Sequence, residues 1–453
     1  MKKLPRPAVL TIILLLLLSF FPLQGYHFLG AGEYEQAARF LPWRADLLEQ
    51  AAIAAFDKQA YPDTVRLLEA ARERGAISTQ GALVLGEAHW QLGAQQQALE
   101  TWETFTNGDQ ASAALFLRLS EAYQRLGQDS AVERTLIHGV DLFQNDVELR
   151  FSLALWWMSE TPALARPELD AARSLDPKTD SRYAVAAAAL NEALAVDDIA
   201  YQRVVCGRAL AALGNWPLAE RAFTRAAQAN PNYAEAWAWL GEARQQNGSD
   251  LAWPALQRAL TLAPTNAATL ARAGLYWQRA GDSARALEAF THAATLEPQS
   301  PTWQLALGEA YVQSGDLIAA YEHYRIAVAL APLDPEPWRA LAVFCATNES
   351  YLRESGLPAA LKAVSLAPDD WRNPDALGRV LLALGNAESA RRMFVRAAEL
   401  APAEAAPQFH LGLLFFNAGD LAQARPHFEQ AAALDPAGAT GDAARRVLER
   451  YFP

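Results

Sequence analysis

The chain is 453 residues long, 52% hydrophobic, carries a formal net charge of −12 and has two cysteines. That acidic balance excludes the basic face on which sequence-independent nucleic-acid binding rests, so no nucleic-acid partner is expected. Cys206 and Cys345 stand far apart in the chain, which excludes a disulfide framework or thiolate metal centre; both read as small buried thiols, and no metal or cofactor is expected.

The N-terminus reads as an address. Lys2, Lys3 and Arg6 precede Ala8 to Leu23, 16 residues without a charge that include five consecutive leucines, Leu14 to Leu18. No polar face remains to meet water, so the segment is expected to enter a membrane. Extended through Leu29 it reaches 22 residues, enough for one span of ~20. The small residues of a cleavage site fit poorly at Leu23-Gln24-Gly25 and come late at Gly30-Ala31-Gly32. Residues 1–29 are therefore read as a basic flank plus an uncleaved anchor that meets the membrane through residues 8–29. The flank would keep that end in the cytoplasm and the rest of the chain outside it. Cleavage would instead yield a secreted protein.

Weakly repeated helix pairs follow over 30–177. Leu48, Ala52, Leu68 and Ala71 mark one over 45–78; Leu85-Gly86, Gly93, Ala98 and Trp102 another over 79–112; Leu119, Tyr123, Gly127 and Leu136 a third over 113–146. A fourth, over 147–177, ends in Leu175-Asp176-Pro177. Residues 178–199 then break the register. They suffice for one helix and not a pair, and the alanine-rich Ser181 to Ala195 has helical propensity, so this stretch reads as a lone helix and hinge.

From 200 to 438 the repeat is sharp. Pro231, Pro264, Pro298, Pro332, Pro368, Pro402 and Pro436 recur at intervals of 33, 34, 34, 36, 34 and 34 residues. Gly207, Gly241, Gly274, Gly308, Gly378 and Gly412 form one phase, and Gly214, Gly248, Gly281, Gly315, Gly385 and Gly419 a second. Phe223, Phe290, Tyr324, Phe394 and Phe428 recur with the same period. A pair of antiparallel helices explains each position. The first glycine lets the two helices approach, the aromatic fills the space beside it, the second glycine caps the first helix, and the proline, with no N–H to donate, ends the second. The interval of 36 predicts a longer loop over Asn348 to Gly356. Residues 439–453 carry Val447, Leu448 and Tyr451 at helical spacing and read as a capping helix.

Leu307-Gly308, Tyr311, Gly315, Ala320, Tyr324, Ala327 and Pro332 reproduce in phase the 34-residue pattern of the tetratricopeptide repeat, which this chain resembles. The resemblance implies an all-α, right-handed α-solenoid of about 11 such repeats, preceded by one hydrophobic helix. It also implies a concave groove, lined by first helices, that binds a protein or peptide partner. Carried onto this sequence, the groove positions are Arg272, Arg279, Arg339, Arg372 and Arg379, interleaved with Glu309, Glu336 and Asp375, and the aromatic positions Trp90, Trp239 and Phe416. Five arginines on one wall could hold a carboxylate-bearing segment, or pair with those acids across repeats. Read as exposed, Arg272, Arg339 and Arg379 are expected to tolerate replacement by glutamate without unfolding, with partner capture weakened. The Asn- and Lys-containing clamp of chaperone-binding members is in none of the repeats.

No catalytic role is expected. The seven histidines fall at different phases of the repeat, and no His-Glu-x-x-His, Gly-x-Ser-x-Gly or phosphate-loop string occurs. Asp197-Asp198 and Asp369-Asp370 read as helix N-caps. Of Trp156-Trp157 and Trp237/Trp239, Trp157 and Trp237 are assigned to the core. The reading that follows is a membrane-tethered interaction scaffold in envelope, secretion or polysaccharide assembly. Its alternative is a noncatalytic regulatory subunit of a glycosyltransferase or lipopolysaccharide-assembly complex.

Overall fold

A side chain at Gly274 would place its Cβ 2.6 Å from the ring of Phe290, and one at Gly412 would lie 2.7 Å from Phe428. These contacts are the repeating joint of the fold: the helices come close enough for a backbone to touch an aromatic ring, and only glycine fits. Phe223, Phe290, Phe394 and Phe428 are fully buried there, each stabilising the joint by about 1.5–3 kcal/mol through the apolar surface it removes from water. The turn after the first helix needs a left-handed residue, which Gly315 supplies at φ 85°.

The structure, a computed structural model, describes residues 23–452 apart from 42, 76, 107, 109–110, 177–180 and 437. Among the described residues it is helical throughout, with no strand. The fold is a solenoid of tetratricopeptide-like helix pairs, divided into two compact units between Asn230 and Pro231. The membrane segment expected over residues 8–29 lies mostly outside the described residues. Residues 23–30 are helical, and among the described residues no helix is long and apolar enough to cross a membrane.

In the first unit the helices are α1 Tyr34–Phe40, α2 Ala45–Asp57, α3 Tyr61–Arg74, α4 Thr79–Gln91, α5 Gln95–Thr106, α6 Ala113–Arg125, α7 Asp129–Leu142, α8 Val147–Glu160, α9 Pro162–Leu175, α10 Ser181–Leu194, α11 Ile199–Ala212 and α12 Trp216–Ala229. The register break is occupied by the single helix α10, which packs on α9 and α11. Asp198 caps α11 by accepting from the backbone N–H of Ala200 and Tyr201 at 2.8 and 3.1 Å.

With α10 interposed, the next pair does not simply stack on its predecessor. Helix α12 lies against α8, where Arg221 pairs with Asp129 and, at 2.5 Å, with Glu160. Arg225 reaches the same two carboxylates at 3.5 and 3.2 Å. As a result α8 is buried nearly all round. Its Trp156 is 1% exposed, with the Arg221 guanidinium 4.3 Å from the ring centre. This corrects the assignment of Trp157 to the core: Trp157 is half-buried and its neighbour is the one enclosed.

In the second unit the helices are α13 Ala234–Gln246, α14 Ala252–Leu262, α15 Ala267–Arg279, α16 Ser283–Leu296, α17 Pro301–Ser314, α18 Leu317–Leu330, α19 Pro335–Thr347, α20 Leu357–Leu366, α21 Arg372–Ala383, α22 Ala387–Leu400, α23 Ala405–Asn417, α24 Leu421–Leu434 and α25 Ala439–Tyr451. Trp237, also assigned to the core, is only half-buried, and its indole donates to the Pro231 carbonyl at 3.0 Å. The loop expected over 348–356 is instead closed by a π-helical turn, Leu352–Gly356, that runs directly into α20. Glu349 and Tyr351 take left-handed φ values of 48° and 50° to enter it. The ring of Tyr351 stacks on Tyr321 at 4.0 Å, fixing that turn to the preceding repeat. The two extra residues are thus absorbed as wider helix and not as free loop.

Candidate interaction surface

The five arginines assigned to the groove all lie on first helices of the second unit, and each is engaged. Arg272 on α15 stacks on Trp239 of α13, 3.7 Å from its ring centre, with its Nε 3.1 Å from Glu242. Arg279, two turns farther along the same face, donates to Gln245 at 3.0 Å. Arg339 on α19 pairs with Glu336 and, at 3.5 Å, with Asp370, and lies 3.4 Å from the Asn373 amide oxygen. Arg379 donates to Thr347 at 2.7 Å. Arg372 holds Asp370 through Nε and a terminal nitrogen at 2.8 and 2.7 Å.

Apart from Glu336 and Asp370, these partners come from the neighbouring first helix, about one repeat away, because equivalent positions on adjacent first helices face each other. The result is a polar ladder, extended by Asp375 and His410 at 2.7 Å. Its burial leaves electrical signs. Desolvation pushes the Arg379 guanidinium below its ordinary range, and also that of Arg339, where the nearby Arg372 charge adds to the effect. The Arg372 guanidinium beside Asp370 holds that carboxyl below its usual value. The Glu309 carboxyl is pushed up by burial, opposed by a hydrogen bond with Gln278.

The side chains of Arg272 and Arg339 are 16% and 11% exposed, which corrects the expectation that replacing them leaves the fold untouched. Arg339→Glu leaves two carboxylates facing a third in a partly dry site, a change that costs about 1–3 kcal/mol. Arg372, at 54% exposed, and the exposed Arg279 are the members of the ladder whose charge reaches solvent.

The aromatic positions divide. Trp239 lies under Arg272, as above. Trp90, in the first unit, is half-buried beneath Arg118 and Arg125, 5.8 and 6.0 Å away. Phe416 packs against Tyr451 at 5.0 Å and Phe452 at 6.2 Å, so the chain's own last helix and its final residues engage what the sequence offered as an anchor for a partner. Both thiols are free and buried; burial raises Cys206 to about 12 and Cys345 to about 11. Among the described residues no three His, Cys, Asp or Glu side chains are grouped to hold a metal ion.

Family profiles agree with the repeats described above. Profiles described as tetratricopeptide repeat match residues 207–267, 278–343 and 376–439. No curated protein sequence matches the chain. Among solved structures, yeast Tom70 is similar over 95% of both chains at 14% identity and a TM-score of 0.46. The Cut9-Hcn1 hetero-tetramer of APC/C is similar over 96% of both at 15% and 0.42. A tetratricopeptide repeat protein from Parabacteroides merdae is similar over 55% of this chain and 97% of its own at 15% and 0.45. With the glycine and aromatic joints repeating in phase along both sequence and fold, the matched stretches are tetratricopeptide repeats, and such repeats build a protein–protein interaction scaffold.

Proposed function

We propose that this scaffold is tethered to a membrane through residues 8–29, with its repeats outside the cytoplasm. Its partner, in this reading, is a protein segment rich in carboxylates held on the first-helix face of the second unit. The observation that carries the proposal is the polar ladder itself. Ion pairs and amide contacts cross from one first helix to the next, and Arg279 and Arg372 present their charge at its edge. A partner carboxylate exchanges with the Gln245 amide oxygen at Arg279 and with Asp370 at Arg372, gaining paired hydrogen bonds without unfolding the array. The ladder's residues are assigned to recognition: apart from Arg339–Glu336 and Arg372–Asp370, the side-chain contacts described above cross to a neighbouring repeat.

The test is capture from detergent-solubilised membranes. The full-length protein is expected to sediment with the membrane fraction until detergent is added and to retain a partner. Arg279→Glu with Arg372→Glu is expected to lose that partner, at least tenfold in yield, while still sedimenting with membranes. Equal capture by the double variant would overturn the assigned face. Recovery in the soluble fraction, or a reporter after Pro453 that works only in the cytoplasm, would overturn the tether or its orientation.

A further inference from the structure

We propose that a cleft among α14, α15 and α16 is a second binding site, made for a tyrosine or tryptophan side chain presented by a partner polypeptide. The inference rests on the scaffold reading only for the source of that ring. The observation is a difference between copies of the repeat. In the α17/α18 pair, Tyr311 stacks on His323 at 5.2 Å and 9° from parallel, and His323 is hydrogen-bonded to Gln304 at 2.8 Å. In the α23/α24 pair, Phe415 stacks on His427 at 5.5 Å and 8°, and His427 is hydrogen-bonded to Gln408 at 2.8 Å. The chain fills this place twice with a flat ring of its own.

In the α15/α16 pair the corresponding residues, 34 positions before the first set, are Trp277, Ala289 and Leu270. The histidine ring and its glutamine are gone. A cavity of about 370 Å³ opens at that place, lined by Trp253, Leu270, Trp277 and Ala289, with Arg285, Glu288 and His292 also on its wall. That volume lies within the range of ligand pockets. The larger indole of Trp277 does not close it, being turned toward Trp253 and Tyr276 at 4.5 and 4.9 Å.

The lining specifies the occupant. Leu270 in place of glutamine offers no hydrogen bond, so the floor suits a carbocyclic face and not an imidazole. Arg285 lies 4.2 Å over Trp277 and 3.3 Å from Asp282. At 58% exposed, its side chain can swing aside and close over an electron-rich ring. The Glu288 carboxylate is the matching acceptor for a phenol O–H or indole N–H, which a phenylalanine lacks. Leu270, Ala273 and Trp277 form a different stripe of α15 from Arg272 and Arg279, so the cleft is separate from the ladder.

The test uses full-length protein labelled with 5-fluorotryptophan, following the fluorine signals of Trp253 and Trp277, assigned by Trp→Phe replacement. N-acetyl-tryptophanamide and N-acetyl-tyrosinamide are expected to shift both signals at millimolar concentration, and N-acetyl-leucinamide neither. Ala289→His, which restores the ring of the sibling repeats, is expected to abolish the response with an unchanged or higher Tm. Ala289→Leu is a second block in case the histidine variant melts early. No shift with either aromatic amide, an equal shift with the leucine amide, or an undiminished response in a folded block variant would overturn the site. Partner capture through Arg279 and Arg372 is untouched by any of these results.

Discussion

Glu309 on α17 shows the electrostatic tension at the solvent edge of the polar ladder. Burial raises its carboxyl above the ordinary range, against the hydrogen bond from Gln278. A carboxyl whose folded value is raised favours the native state while protonated and loses that contribution as pH rises through the folded value. At neutral pH its ionised form is therefore a net cost to the fold. Glu309→Gln keeps an acceptor for Gln278 and removes the charge. Because the Glu309 side chain is exposed and solvent screens its charge, the gain should be small, about 1 °C in Tm at pH 7.5, vanishing below about pH 4.5, near the ordinary value of a glutamate. A variant that melts lower at pH 7.5 would show that the carboxylate is stabilising. The ladder arginines obey the same balance with opposite sign, because Arg339 and Arg379 must stay charged in partly dry surroundings and rely on Asp370, Glu336 and Thr347 to do so.

At the scale of helices, α25 covers the apolar face of the pair before it. Helix α25 lays Val447 and Leu448 against Phe428, Ala431 and Phe416, and Phe452 continues the contact. Removing residues 439–453 exposes those rings. The truncated chain is expected to melt about 5 °C or more below the full one and to self-associate in light scattering; an unchanged melt with no association would refute the capping role. The repeated joints were legible in the sequence because each needs a particular residue: glycine where Phe290 or Phe428 touches backbone, and a left-handed glycine at 315. The packing of α12 on α8 was not. It depends on how the lone helix α10 redirects the chain, and its ion pairs join Arg221 to Asp129, 92 residues away, with no periodic signal. Trp156 and Trp157 were exchanged for the same reason, since α8 is covered on the side that an ordinary repeat leaves open. Of the interaction surface, the pairing of each side chain was not legible in the sequence. The resemblance to the tetratricopeptide repeat assigned the five arginines to one wall, and the fold shows each one engaged and two reaching solvent.

At the scale of the whole molecule, the family's architecture accounts for what this chain offers a partner. Stacked helix pairs bury their small and aromatic residues against one another and leave polar side chains in rows along the first helices. The central claim is that a partner protein is held on that face of the second unit. The most direct measurement places a photo-crosslinking amino acid at position 279 or 372 on first helices, and for contrast at 325 or 391 on second helices, in cells. The account predicts a discrete protein adduct from 279 and 372, identified as one polypeptide by mass spectrometry, and none from 325 or 391. Adducts of equal yield from all four positions, or from the second helices alone, would contradict it.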